Sequence, residues 1–214
     1  MKTYRLLKDR YDQLQDPYLY QLYKTLITRY QTGGKLLEIG AFHATISKSV
    51  ASLFRQVDAF DIDEIAIEKA KTTAPKNFRA FVHDMHEGLK ERYDMIIAPI
   101  DVFNHAQDFS RFKAILKRWT NALNPKGIIM FDVLRCQYLS QLVGYQETLA
   151  DDLVWSVEQN GEACTVNHII KDYENTSHHI EKSYREDKIE ALLTALTCLE
   201  KIVLEDRIIY VYKK

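Results

Sequence analysis

The sequence predicts an α/β fold: a doubly wound, mostly parallel, seven-stranded sheet with two helices in front and an antiparallel β insertion serving as a lid. Three observations carry this expectation. Short apolar runs alternate with amphipathic stretches as far as residue 134, the rhythm of right-handed βαβ units. The period then changes to strict alternation in "DLVWSVEQNGEACTVNHIIKDYENTSHHIEKSYRED", where Asn160-Gly161 is a strong hairpin signal between the first two of three runs. Finally, "EKIVLEDRIIYVYKK" holds two apolar runs split by Glu205-Asp206, a terminal hairpin for the sheet edge.

The elements follow in order. Residues 3 to 31 carry apolar and aromatic residues at helical spacing, broken at Asp16-Pro17, and therefore form two helices that end before Gly33-Gly34. "KLLEIG" is the first strand, and "ATISKSVASLF" from Ala44 to Phe54 a helix. "VDAFDID" is the second strand, "EIAIEKAKTTA" a helix and "FRAFVHD" the third strand. "YDMIIAPI" is a fourth strand whose apolar centre suits burial on both faces. "SRFKAILKRWTNAL" is an amphipathic helix stopped by Asn124-Pro125-Lys126-Gly127, and "GIIMFDV" the fifth strand. After the insertion the chain returns to a helix near 187 to 197. The expected organisation is a helical cap over 1–34, an α/β core over 35–135 and 187–214, and a lid over 136–186.

Composition narrows the partners. A hydrophobic content of 46% supports a sizeable core. The net charge is −1, and basic residues are interspersed with acidic ones, which argues against a nucleic-acid partner. The opening "MKTYRLLKDRYDQL" lacks the apolar core of a signal peptide, and no apolar run reaches the roughly 18 residues of a membrane span. A soluble, cytoplasmic protein without membrane partners is expected. Cys136, Cys164 and Cys198 are widely spaced, odd in number and form no C-x-x-C pair, so they read as ordinary thiols, with neither a disulfide nor a metal site. Nothing in the sequence separates a monomer from a homodimer.

In open α/β sheets ligands bind beyond the carboxyl ends of the strands. The stretch "KLLEIGAFHATIS" supplies the turn after the first strand, and Asp61 follows Gly40 by 21 residues, at the end of the second strand, where a carboxylate can accept hydrogen bonds from a ribose diol. The same "DIDE" stretch also suits a helix cap. The absence of G-x-G-x-x-G argues against a nicotinamide dehydrogenase.

These residues resemble, in order, the motifs of the class I S-adenosylmethionine-dependent methyltransferases. The family's E/D-x-G-x-G-x-G falls on Glu38, Gly40, Phe42 and Ala44, its second-strand acid on Asp61 and its adenine-side acid on Asp84. "ERYDMIIAPIDVFNHAQD" is similar to the fourth strand and following loop of small-molecule members, and "LNPKGIIMFDV" to the segment entering the fifth strand. Tyr4, Tyr11 and Asp12 resemble the Y-x-x-x-A-x-x-Y-D opening of small bacterial members. The resemblance implies S-adenosyl-L-methionine as cofactor, bound by Glu38, Gly40, Ala41, Phe42, Asp61, Ile62, Asp84, Met85, Ala98 and Ile100. It also implies a small-molecule acceptor, nitrogen ahead of oxygen, bound by Tyr4, Tyr11, Asn104, His105, Trp155 and His178.

Displacement from a sulfonium needs no protonated leaving group, so alignment in a water-poor pocket carries much of the rate. An amine must react unprotonated, and Tyr11, Asn104, His105 or His178 are candidates to take or hold its proton. His178 and His179 alternate on a strand, so at most one of them can face the pocket. Trp155, Tyr173 and Tyr184 either line that pocket or build the lid's own core. Asp101 reads as a residue beside the acceptor or as a turn former. Phe42 and Ala44, standing where glycines are usual, keep a non-catalytic cofactor-binding or scaffolding domain as the alternative. A further alternative is a methyltransferase of RNA or protein, which requires an open groove.

Overall fold

The computed structural model describes Leu6, residues 16 to 150 and residues 152 to 214. Tyr4, Tyr11 and the first of the two expected leading helices lie outside the described residues. The second helix, α1 (Pro17–Tyr30), starts with Asp16 accepting the Tyr18 N–H at 2.8 Å and proline at its first position, where a missing N–H costs nothing. Its Leu19, Tyr23, Leu26 and Ile27 are buried at intervals of three and four, a single stripe that packs on the sheet with Met95, Ile97, Met130 and Ile209.

Strands β1 (Lys35–Ile39), β2 (Gln56–Asp61), β3 (Phe78–Val82), β4 (Tyr93–Ala98) and β5 (Leu123–Leu134) run parallel. The terminal hairpin, β10 (Thr197–Val203) and β11 (Arg207–Lys213), joins β5 antiparallel and completes a sheet of order β10-β11-β5-β4-β1-β2-β3. The order reverses beside β1, which opens the crevice between the carboxyl ends of β1 and β4. One face is covered by α4 (Phe109–Asn121) and α6 (Glu186–Leu192), whose Phe112, Ile115, Trp119 and Ile189 meet Ile39, Ile96 and Phe131. Helix α3 (Glu64–Thr72) packs through Ile67 and Ala70 on Ala59 and Ala80.

A second, antiparallel sheet runs β6 (Gln146–Ala150), β7 (Leu153–Gln159), β8 (Thr165–Lys171), β9 (Thr176–Lys182), entered through α5 (Cys136–Leu142). It has one strand more than the three alternating runs expected. β6 lacks a clear alternation in "QETLA" and takes its register from pairing with β7. The Asn160-Gly161 pair does turn β7 into β8.

Three sequence expectations are corrected. The helix expected over Ala44–Phe54 is only α2 (Thr45–Ser49) followed by a 3₁₀ turn at Ala51–Leu53. The Asn77 side-chain amide donates to the carbonyls of Ala51 and Phe54 at 2.8 Å each, taking up acceptors that a continuing helix would need. The Asn124-Pro125-Lys126-Gly127 stretch does not lie outside the strands but inside β5. Asn124 donates to Asp94 at 2.8 Å, and Lys126 N–H and Gly127 C=O pair with Lys214 in the tail of the chain. Cys136 and Cys164 are not free thiols but a disulfide with Cα atoms 4.7 Å apart, tying α5 to the β7–β8 turn, while Cys198 is free and exposed. Their separation of 28 residues hid a proximity that only the packing of α5 on the second sheet creates. Among the described residues no helix is long and apolar enough to cross a membrane.

Candidate functional site

A cleft of about 380 Å³ opens at the carboxyl ends of β1, β2, β3 and β4, of a size suited to a small ligand. Its floor is the turn after β1. Gly40 has φ of +65°, and a Cβ there would lie 2.6 and 2.8 Å from the Val102 methyls, so glycine is required by both backbone and contact. Phe42 and Ala44 also stand in the left-handed region, at φ 47° and 56°. They hold it without glycine because the turn is pinned: Phe42 N–H donates to Asp61 Oδ2 at 2.9 Å, Ala41 N–H to the Phe60 carbonyl at 2.9 Å, and Ala44 is wholly buried among Ala59, Ile67 and Ala80. The strain, about 1–2 kcal/mol per residue, is met by those contacts.

The helix-cap role in "DIDE" falls to Asp63, which accepts the N–H groups of Ile65 and Ala66 at the start of α3. That leaves the Asp61 carboxylate in the cleft, anchored by the N–H groups of Phe42 and Asp63. Burial raises the Asp61 carboxyl above its ordinary value, and those N–H groups oppose the rise. Asp84, after β3, accepts the His86 N–H at 2.8 Å and lines the cleft with Met85, Ile62, Ile100 and Phe42.

The other expected cofactor residues lie underneath. Glu38 is buried below the turn and accepts the Ser47 N–H at 3.2 Å, so it braces the turn against α2. Burial pushes its carboxyl up to about 7. Ala41 and Ala98 belong to the core and do not line the cleft.

The far end of the cleft is set by a buried carboxylate that sequence reading passed over. Asp132, on β5, accepts from Tyr23 Oη at 2.5 Å, Ile100 N–H at 2.6 Å, Asp101 N–H at 3.2 Å and Arg207 Nη1 at 2.6 Å. It thereby holds Ile100 and Asp101 in the left-handed region, at φ 61° and 55°. The signal in the sequence is the lone charge in "GIIMFDVL". Arg207, also buried, reaches Asp101 at 3.2 Å and Asp206 at 2.7 Å. The Asp101 carboxyl rises to about 6, chiefly from burial and then from the nearby Glu181, with Arg207 opposing.

From this loop His105 lines the cleft. Asn104 does not: fully buried, it donates to the Lys182 carbonyl at 3.0 Å and accepts the Leu134 N–H at 3.0 Å, a clamp between the two sheets. His178 is also corrected. It lies on the exposed face of β9 beside Asn167, while His179 and Glu181 are buried on the face toward His105. Trp155, on β7, is half-buried, meets Tyr145 edge-on and donates its indole N–H to His168. Tyr173 is 84% exposed, and Tyr184 packs on Phe109 and Phe112 with its hydroxyl on the Ala106 carbonyl, so neither lines the cleft. The ligand atoms of Asp101, His105 and Glu181 lie within 4.8 Å of one another, a set able to hold a cation, although Arg207 and His168 already serve its two carboxylates.

The fold and this cleft define an α/β protein with a ligand crevice at its switch point, lined by the strand-end acid Asp61 and floored by a turn packed on Val102. A family model described as a methyltransferase domain matches residues 9–195. The chain belongs to this methyltransferase family. Several solved structures share the fold. An S-adenosylmethionine-dependent methyltransferase from Clostridium acetobutylicum superimposes with a TM-score of 0.79 at 19% identity, covering 98% of this chain and 96% of that one. The CcbJ methyltransferase from Streptomyces caelestis gives 0.79 at 14% identity, over 96% and 95% of the two chains. A sugar N-methyltransferase from a Streptoalloteichus species gives 0.72 at 13% identity, over 99% and 93%. No curated protein matches the chain in sequence.

Proposed function

We propose that the enzyme methylates nitrogen in a small-molecule acceptor held between the cleft end at Asp101 and His105 and the second sheet, which acts as its lid over residues 136–186. The observation that carries this reading is the charge of the cleft. Its lining includes four carboxylates, Asp61, Asp63, Asp84 and Asp101, against one guanidinium, Arg111. That balance attracts a cationic amine and repels a polyanion such as RNA. One of the structural relatives acts, by its name, as a sugar N-methyltransferase, which agrees with the choice of nitrogen.

S-adenosylmethionine, when bound, supplies an electrophilic methyl on a sulfonium. In this reading Asp61 would receive its ribose diol and Asp84 would face its adenine; both line the cleft, whose floor is the turn packed on Val102 through Gly40. At the other end His105 takes the amine's proton, freeing its lone pair, and Asp101 holds the nitrogen in line.

The test pairs isothermal titration with S-adenosylhomocysteine and transfer of labelled methyl to matched amines and alcohols. Heat of binding with transfer to amines supports the reading. Transfer to alcohols alone overturns the choice of nitrogen, and binding with no transfer to any acceptor favours the non-catalytic alternative.

A further inference from the structure

The inner face of the second sheet is apolar at Leu153, Val157, Val166 and Ile170, yet three ionisable residues, His168, His179 and Glu181, share that face and are buried. Such a set is costly to bury without partners. Two of them belong to a directed chain. Trp155 Nε1–H donates to His168 Nδ1 at 3.1 Å, and His168 Nε2 lies 3.1 Å from Glu181 Oε2. An indole nitrogen only donates, so Nδ1 must present its lone pair, and the ring proton sits on Nε2, directed at Glu181. A second proton on His168 would set two N–H groups against each other. The other Glu181 oxygen, Oε1, lies 3.9 Å from His105 Nε2, at the end of the cleft.

We propose that Glu181 is the counter-charge that lets His105 accept a proton from a cationic amine acceptor, and that Trp155 and His168 are positioning residues that keep Glu181 ionised and aimed. The inference rests on the methyltransferase reading of the cleft. In the step itself, an N–H bond of the acceptor ammonium breaks, its electron pair stays on nitrogen as the lone pair, and the proton moves to the His105 ring. The resulting imidazolium faces the Glu181 carboxylate. Nothing is oxidised or reduced.

The surroundings favour this use of Glu181. His105, His168 and His179 face it, with Asp101 on the cleft side and Arg207 and Asp132 behind Asp101. Tyr138 of α5 lies within electrostatic reach of it. Burial by itself would raise the Glu181 carboxyl, but the neighbouring imidazoles, His168 first, hold it well below the ordinary range, and the hydrogen bond from His168 Nε2–H is the part that persists when His168 is neutral. Burial of His168 works against its protonation, Glu181 works for it and prevails, and the Trp155 N–H is the contact that resists the second proton. Without that contact a proton on His168 would cancel the charge that His105 needs.

The experiment uses the full chain labelled with ¹⁵N-histidine and saturated with S-adenosylhomocysteine, and follows its ring nitrogens by NMR. In the wild type, at a pH above its raised titration, neutral His168 is expected as the Nε2–H tautomer. In Trp155→Phe its titration should move upward by about tenfold in proton affinity, the worth of one neutral hydrogen bond. Methylammonium chloride is the acceptor probe: it should shift the His105 signals of the wild type, with affinity weakened roughly tenfold or more in Glu181→Gln, the scale of a lost charged contact. A wild-type Nδ1–H tautomer, a titration unmoved in Trp155→Phe, or equal methylammonium affinity in Glu181→Gln each overturns the proposal. So does broadening of the His105 and His168 signals by micromolar Mn²⁺, which would mark the group as a cation site. The tautomer needs no variant, so poor folding of one leaves the test intact. Failure of the underlying reading is separate: it appears as absence of S-adenosylhomocysteine binding by the wild type.

Discussion

Replacing Asp132 by asparagine keeps the shape of the side chain and removes its charge. The carboxylate accepts four hydrogen bonds, two of them from the backbone of the loop that carries Asp101 and His105, and one from the buried Arg207. Breaking a buried ion pair by removing one partner costs about 3–5 kcal/mol. Arg207 keeps Asp101 at 3.2 Å and Asp206 at 2.7 Å, which places the ion-pair loss near the lower end. An amide can present only one oxygen, so one of the remaining donors faces an NH₂ group, adding roughly 1 kcal/mol. We expect a total near 3–4 kcal/mol. With a urea slope of about 2–3 kcal/mol/M for a chain of this size, the midpoint falls by roughly 1–2 M. The double variant Asp132→Asn, Arg207→Met should cost less than the sum of its parts by about 1–3 kcal/mol, because neither charge is then stranded. A midpoint change under about 0.3 M at unchanged slope, or strict additivity in the cycle, would show that Asp132 does not hold this loop.

Other outcomes are open to direct measurement. Asp61→Ala should weaken S-adenosylhomocysteine by about 1.5–3 kcal/mol in titration calorimetry, through loss of charged hydrogen bonds. Gly40→Ala drives a Cβ into Val102 and should abolish that binding heat while the far-ultraviolet circular dichroism still reports a folded chain. Reducing the Cys136–Cys164 disulfide, which spans 28 residues, should cost up to about 3.5 kcal/mol by the chain-entropy estimate. Mass spectrometry of the unfolded, unreduced chain should show alkylation at Cys198 alone. For Glu38, the folded carboxyl near 7 lies above its ordinary 4.5, so the folded chain holds a proton that the unfolded chain loses across that window. Its contribution therefore makes stability fall as pH rises from about 4.5 to about 7, and Glu38→Gln should flatten that slope in urea midpoints. His179 has the opposite sign. Burial depresses it to about 3, so the folded chain resists a proton that the unfolded one takes up, and its stabilising share is lost as pH falls from 6.5 toward 3.

Much of the cofactor half was legible because it is local. Gly40, Phe42, Asp61, Ile62, Asp84, Met85 and Ile100 line the cleft, and each follows a strand whose period is plain in the sequence. Glu38, Ala41 and Ala98 are absent from the lining of the cleft, a detail that motif position alone does not reveal. In the second sheet the alternation of His178 and His179 was visible, but which one points inward depends on the pairing of His168 with His179 and of Val166 with Glu181. A shift of one residue in that register reverses the answer.

The sequence by itself determined the order of strands and helices, the crevice at the switch point and the strand-end acid that lines it, because these depend on hydrophobic period and on residues within one turn of each other. Only the tertiary structure decided the far end of the cleft. There Tyr23, Asp101, Asp132 and Arg207 meet from a helix, a loop and two strands, and Glu181 approaches His105 from another sheet. Charges this far apart along the chain are brought together by packing, and their chemistry exists only once burial removes the water between them.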